Sequence, residues 1–248
     1  MEKLVAGDKI IECKLVIFDK NGTLVNQHLL LLELAKARKN AIEKHGGKTV
    51  SELWERIVGV DLKNEKIDHG GPLGTAPRRE EILIAAEAFY LSGYSWSEAK
   101  QSAQRAYDEA DGSIQSPYGS VLLEGVAEAL KRLKQSGLKL AIASTDTHKR
   151  TVESFKTLEI AHFFDAVVGS DDVMNGKPSP DMVLEILKKT ESKPSNTVIV
   201  GDSVSDMQMG RNAKLKACIG VLTGFTSQEK LEQVADVVVS SVSKLYVL

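Results

Sequence analysis

Leu15-Val16-Ile17-Phe18-Asp19-Lys20-Asn21-Gly22-Thr23 is a short apolar run that stops on a carboxylate and a glycine turn. A continuous apolar run bounded in this way predicts a strand buried on both faces, as in a parallel sheet. In an open α/β sheet ligands bind at the carboxyl ends of the strands, so Asp19 stands where an active site would be built. Two further runs end alike: Leu140 to Ala143 stops at Ser144, and Thr197 to Val200 stops at Gly201 and Asp202. Lys177 lies in Gly176-Lys177-Pro178, where the proline restricts its backbone to extended or turn conformations. These polar stations are expected to converge on one rim.

Working outward, short β-branched runs alternate with helical patterns in the second half, the signature of βαβ units and a parallel sheet. Strands are predicted at 14–18, 139–143, 166–168, 197–200, 217–221 and 236–239. Between the first two lies a stretch with helical periodicity, with helices expected near 28–45, 50–58, 78–91 and 96–110. Asp61 to Pro77, with Gly70, Gly71, Pro72 and Gly74, is rich in breakers and reads as a functional loop without regular structure. Residues 1–25 and 116–248 are therefore expected to form an α/β core, and 26–115 an inserted α-helical cap domain that returns through Ser116-Pro117-Tyr118-Gly119. There is no internal repeat.

A chain of 248 residues with 42% hydrophobic content can bury a full core and carry a second small domain. A net charge of −2 without a long basic run gives no reason to expect nucleic acid or a membrane as partner. No apolar stretch reaches the roughly 18 residues of a membrane span, and Met1 to Cys13 lacks a signal-peptide apolar region. Cys13 and Cys218 lie in apolar strand-like runs, which fits a reduced cytoplasm.

Chemically, Asp19 can be a nucleophile or a metal ligand, and Gly22 lets the backbone approach an anion. Asp202 and Asp206 open another strand-to-helix loop, and beside Asp19 they would make an oxygen-rich Mg²⁺ site. Ser144 and Thr145 precede a helix whose free amides, with a hydroxyl, can hold a phosphate oxygen. Taken singly, each is also an ordinary cap: Ser144, Thr145 or Asp146 for one helix, and the residues after Asp202 for another.

The order and spacing of the four stations together resemble the haloacid dehalogenase superfamily. Asp19 to Thr23 resembles its Asp-x-Asp-Gly-Thr motif, Ser144 its strand ending in Ser or Thr, Gly176 to Asp181 its Gly-Lys-Pro-x-Pro-Asp, and Gly201 to Asp206 its Gly-Asp-Ser-x-x-Asp. Ile219 to Gly224, with Ala235 and Asp236, is similar to the phosphoglycolate phosphatase and β-phosphoglucomutase branch, which also inserts a helical cap after the first motif. The resemblance implies a three-layer Rossmann-like core and an Mg²⁺-dependent phosphatase. In it, Asp19 is the nucleophile that becomes an aspartyl phosphate, and Asp19, the main-chain carbonyl of Asn21 and Asp202 hold the metal. Asp206 orients metal-bound water, Ser144 and Lys177 bind the phosphoryl oxygens, and Gly22, Thr23 and Thr145 line the phosphate site. The cap of that branch contacts the leaving group, which makes Arg78, Arg79 and the loop His69 to Thr75 candidates for a second anionic group of the substrate. Arg78 and Arg79 pairing with Glu80, Glu81 or the following turns is the alternative. Trp54 and Trp96 read as packing residues, and His148, Lys149 and Arg150 as the solvated first turn of a helix.

One departure stands out. The phosphatases of this superfamily carry a second Asp where this chain has Asn21, and that Asp protonates the leaving oxygen and then deprotonates the attacking water. An amide does neither, and losing general acid-base catalysis costs about 10²- to 10⁴-fold. Asn21 is then a replacement that slows turnover, or a site for leaving groups that need little protonation, or a site that binds without turnover. Asp19-Lys20-x-Gly22-Thr23 also resembles the phosphorylation motif of P-type ATPases, whose leaving group is a nucleoside diphosphate. Dehalogenase relatives lack the second Asp too, but work without metal, so Asp202 and Asp206 speak against that activity. The expected partner is a small phosphorylated metabolite, phosphoglycolate-like or a sugar phosphate, and the expected assembly a monomer or homodimer.

Overall fold

The computed structural model describes residues 1–68, 70–113 and 121–248. His69 and the expected return linker Ser116 to Gly119 lie outside the described residues. The strands are β1 (Glu2–Ala6), β2 (Lys9–Cys13), β3 (Leu15–Phe18), β4 (Val60–Asp61), β5 (Lys66–Ile67), β6 (Lys139–Ala143), β7 (Ala166–Val168), β8 (Thr197–Gly201), β9 (Ala217–Val221), β10 (Val237–Val239) and β11 (Tyr246–Val247). The helices are α1 (Gln27–Gly46), α2 (Lys48–Ile57), α3 (Pro72–Thr75), α4 (Arg78–Leu91), α5 (Trp96–Ser113), α6 (Val126–Gln135), α7 (His148–Thr157), α8 (Asp181–Thr190), α9 (Val204–Asn212) and α10 (Gln228–Glu232). The chain divides into two compact units, Met1–Gln27 with Ser120–Leu248, and His28–Gly119.

The first unit is built on a six-stranded sheet of order β10-β9-β8-β3-β6-β7, every pair parallel. Alternate residues of each strand serve opposite faces, as the two-residue period requires. Val16 and Phe18 of β3, Leu140 and Ile142 of β6, and Val198 and Val200 of β8 pack with α6 and α7 in one apolar layer. Leu15 and Ile17, Ala141 and Ala143, and Ile199 pack with α8, α9 and α10 in the other. This is why the strands read as unbroken apolar runs, and it yields a three-layer, Rossmann-like α/β architecture.

Strand β3 sits between β8 and β6, where the strand order reverses. Phe18 is in register with both Val200 and Ile142, so the residues that follow each strand emerge level with one another. That is the crevice in which doubly wound sheets bind ligands.

Two regions depart from the expected layout. Glu2–Ala6 and Lys9–Cys13 form a hairpin that pairs through β1 with β11 in a separate antiparallel sheet, and Leu4, Ala6, Ile11 and Cys13 join the first apolar layer. The 61–77 stretch, expected to lack regular structure, carries the β4–β5 ladder and the short α3. Asp61 closes the turn between those strands by accepting from the Asn64 backbone at 3.0 Å and its side chain at 2.7 Å.

The second unit is a helical bundle with its own core. Ala99, Ala103, Ala106 and Ala110 of α5 lie on one buried stripe, and Ala85, Ala86 and Ala88 of α4 are buried in the same cluster, so small side chains allow these helices to approach. Trp54 is fully buried there and donates to the Tyr107 hydroxyl at 3.2 Å. Trp96, expected to pack, is instead 45% exposed, edge-on to Tyr90 and capped by Lys100. No helix among the described residues is long and apolar enough to cross a membrane.

Candidate active site

Asp19 leaves the end of β3 with its backbone N–H donating to Val200 of β8, which fixes the carboxylate at the rim. Lys177 reaches it from the loop before α8, its Nζ 2.5 Å from Asp19 Oδ1 and 2.6 Å from Asp206 Oδ1. Asp206 is also held from its other oxygen: Oδ2 accepts from the Ser203 hydroxyl at 2.6 Å and from the Ser203 backbone at 3.1 Å, a capping box at the start of α9. Helix capping and Lys177 pairing are therefore done by one carboxylate, with no choice needed between them.

Asp202 completes a cluster in which ligand atoms of Asp19, Asp202 and Asp206 lie within 4.8 Å of one another, all three residues buried. Its Oδ1 accepts from the Thr23 hydroxyl at 3.2 Å. Gly22, at φ +83°, and Gly224 are required by this carboxylate: a Cβ on Gly22 would stand 2.6 Å from Asp202 Oδ2, and one on Gly224 only 1.7 Å from it. The Thr223 hydroxyl donates to the Gly22 carbonyl at 2.6 Å and ties the two glycine loops together.

Burial and the neighbouring Asp206 push the Asp19 carboxyl up to about 6 against the pull of Lys177. Burial, Asp19 and Asp206 push Asp202 up to about 8. Burial works against the Lys177 ammonium, but Asp19 and Asp206 outweigh it and hold it above its ordinary range. One buried ammonium among three buried carboxylates leaves negative charge uncompensated. The all-oxygen donor set fits a small hard divalent cation, which would supply the missing charge.

Ser144 ends β6 fully enclosed, and its hydroxyl accepts from the Asp146 backbone at 3.1 Å. Thr145 is exposed. The N-cap of α7 is Thr147, not Ser144, Thr145 or Asp146. Asp146 instead pairs with Lys20 at 2.7 Å, and Lys20 outweighs the cost of burial to hold that carboxyl below its ordinary range. His148 begins α7 but is tied down, its backbone N–H to Asp171 and its Nδ1 at 2.8 Å from Asp172.

In the helical unit the Arg78 guanidinium is engaged by two carboxylates of α5, Asp111 at 2.6 Å and Asp108 at 2.8 Å. The anions it holds thus come from its own chain and not from Glu80 or Glu81. Arg79 is exposed. Glu81 is buried against Arg38, a pair the sequence pattern did not single out. The Lys20–Asp146 pair was likewise missed. Its signal was there in a Lys and an Asp each placed just past the end of a buried strand.

A family model described as haloacid dehalogenase-like hydrolase matches residues 13–214. The chain is 28% identical to a phosphorylated carbohydrates phosphatase of Thermotoga maritima, over 87% of this chain and 88% of that protein. It is 27% identical to a phosphoglycolate phosphatase of Salmonella typhimurium, over 90% and 87%. A Thermotoga maritima crystal structure named for β-phosphoglucomutase superposes with a TM-score of 0.67 at 25% identity, covering 93% of this chain and 95% of that one.

Proposed function

The chain belongs to the haloacid dehalogenase-like hydrolases and is a phosphoric monoester hydrolase of that family, and from this premise we propose that it is an Mg²⁺-dependent phosphatase of small phosphorylated metabolites with Asp19 as its nucleophile. The observation that carries the reading is Lys177 bridging Asp19 and Asp206 inside a three-carboxylate cluster at the switch point of the sheet. The names of the relatives favour phosphorylated carbohydrates or phosphoglycolate as substrate.

In this reading an Asp19 oxygen attacks phosphorus in line with the leaving oxygen and forms an aspartyl phosphate. Lys177 keeps the nucleophile oriented and offsets charge on the phosphoryl oxygens, and the Ser144 hydroxyl donates to one of them. Thr23, whose hydroxyl is spent on Asp202, positions that carboxylate. Gly22 gives the backbone room to turn beside the phosphoryl group. Asp19, the main-chain carbonyl of Asn21 and Asp202 would hold Mg²⁺, with Asp206 alongside, and the ion when bound supplies charge compensation at the transferring group. Asn21 cannot protonate a leaving oxygen, so ester turnover is slow.

Phosphate release from sugar phosphates and phosphoglycolate, with Mg²⁺ and with a chelator, tests this. Slow Mg²⁺-dependent release should vanish in Asp19→Asn, and Asn21→Asp should raise it by about 10²- to 10⁴-fold. Release that persists in Asp19→Asn would overturn the assignment. The amide at Asn21 also favours a second reading, capture of a phosphorylated ligand without turnover. Thermal stabilisation by such a ligand with no release from the unmodified protein would support it.

A further inference from the structure

The two ends of the Asn21 side chain have different surroundings. Its Nδ2 donates to Asp146 Oδ2 at 3.5 Å, and the same oxygen accepts from Lys20 Nζ at 2.7 Å. An ionised carboxylate only accepts, so chemistry settles the orientation of the amide: the NH₂ end faces Asp146, and Oδ1 faces away. Oδ1 is buried and accepts no hydrogen bond among the described residues. Turning the amide over would set oxygen against oxygen at 3.5 Å, a contact that gains nothing in place of the one the NH₂ end makes.

Lys20 is only 4% exposed, and its pairing with Asp146 joins the loop after β3 to the loop after β6. Those loops carry Asp19 and Ser144. We propose that Lys20 and Asp146 are positioning residues that hold the Asn21 amide with its carbonyl oxygen as the free acceptor. Asp19 is then phosphorylated rapidly only by phosphates whose leaving group departs without a proton, acyl phosphates above all, while hydrolysis of the aspartyl phosphate, which also lacks a base, runs at one slow rate whatever the donor. The inference rests on the reading of Asp19 as nucleophile.

The chemistry balances without an acid at position 21. With an acyl phosphate, an Asp19 carboxylate oxygen bonds to phosphorus, the phosphorus–oxygen bond to the acyl group breaks, and the carboxylate leaves as an anion. Water then attacks the phosphorus of the aspartyl phosphate, the bond to Asp19 breaks, and both water protons leave with the product as H₂PO₄⁻. Asn21, an amide, gives and takes no proton in either step. An alkyl phosphate would instead expel an alkoxide, for which the amide supplies no proton.

Single-turnover release of the leaving group, acetate from acetyl phosphate and glycolate from phosphoglycolate, corrected for spontaneous hydrolysis, tests the inference. The unmodified protein should show a ratio of single-turnover rates favouring acetyl phosphate by about 10²-fold or more, and Asn21→Asp should shrink that ratio by raising the ester rate. Lys20→Met should lower the saturating single-turnover rate for acetyl phosphate by about tenfold or more while the half-saturating concentration stays within about twofold, because loss of positioning costs rate and not binding. Lys20→Arg, which keeps the charge, should retain most of the rate. Comparable single-turnover rates on both substrates in the unmodified protein, or an unchanged single-turnover rate in Lys20→Met, would overturn the inference and leave the phosphatase reading standing. No release from either substrate by the unmodified protein and Asn21→Asp alike would remove the phosphatase reading, and this inference with it.

Discussion

Asp202 occupies a slot whose walls are two glycines, so the metal-binding capacity proposed for it depends on residues that carry no chemistry themselves. A methyl group on Gly224 would lie 1.7 Å from Asp202 Oδ2 and 2.3 Å from its Cγ, and either the carboxylate or the loop from Leu222 must give way. Gly224→Ala should therefore weaken Mg²⁺ affinity and activity together, by roughly 10- to 100-fold as for other groups that orient metal ligands. A Mg²⁺ titration of phosphate release checks this, and a wild-type midpoint would show that Asp202 does not need its present position. Arg78 illustrates the opposite case. The sequence suggested a free guanidinium for a substrate anion, whereas Asp108 and Asp111 already fill its fork.

At the scale of the elements, the helical unit buries a charge pair among apolar residues. Arg38 and Glu81 are each 4% exposed, and the Arg38 guanidinium also lies over the Tyr107 ring, 4.6 Å from its centroid. Arg38→Met strands the Glu81 carboxylate and should cost about 3–5 kcal/mol, whereas the double variant Arg38→Met/Glu81→Leu should recover most of that loss. Chemical denaturation of both variants measures the difference, and a double variant no more stable than the single would refute the pairing as the cause. Such a pair is invisible to periodicity, because both residues read as the polar face of their helices. Periodicity did reveal α1, α2, α4 and α5, since alanines and aliphatic residues recur at helical spacing over long stretches. The central strands were legible for the opposite reason, burial on both faces. The β1–β2 hairpin was overlooked because Glu2, Lys3, Lys9 and Glu12 dilute its five-residue strands. Its two-residue Gly7-Asp8 turn, with Gly7 at φ +59°, was the available signal. At the site, Asp19, Lys177, Asp202 and Asp206 were singled out from strand ends and motif spacing. Lys20 and Asp146 required the register of β3 and β6 to bring them together.

For the whole molecule, the concentration of negative charge in one buried site links folding to pH and to divalent cations. Asp19 and Asp202 are raised in the folded protein from 3.8 to about 6 and about 8. The folded state thus binds more protons than the unfolded chain between those limits, and stability falls as pH rises through that window. Lys177 is raised as well, but the stability it contributes is fully present throughout that range and is lost only at higher pH. In a chelator, the melting temperature should therefore decline from pH 5 to pH 8. A cation must displace the retained protons to bind, so its affinity rises over the same range. At a hundredfold excess over Kd a ligand that binds only the folded state adds roughly 2.7 kcal/mol, so the gap between Mg²⁺ and chelator melting curves should widen from pH 5 to pH 8. A gap independent of pH, with a melting temperature in chelator that does not fall, would mean that the three carboxylates are not where cation binding and proton release meet. Asp202→Asn should flatten both trends, since it removes the group raised furthest while leaving the Lys177 bridge between Asp19 and Asp206 in place.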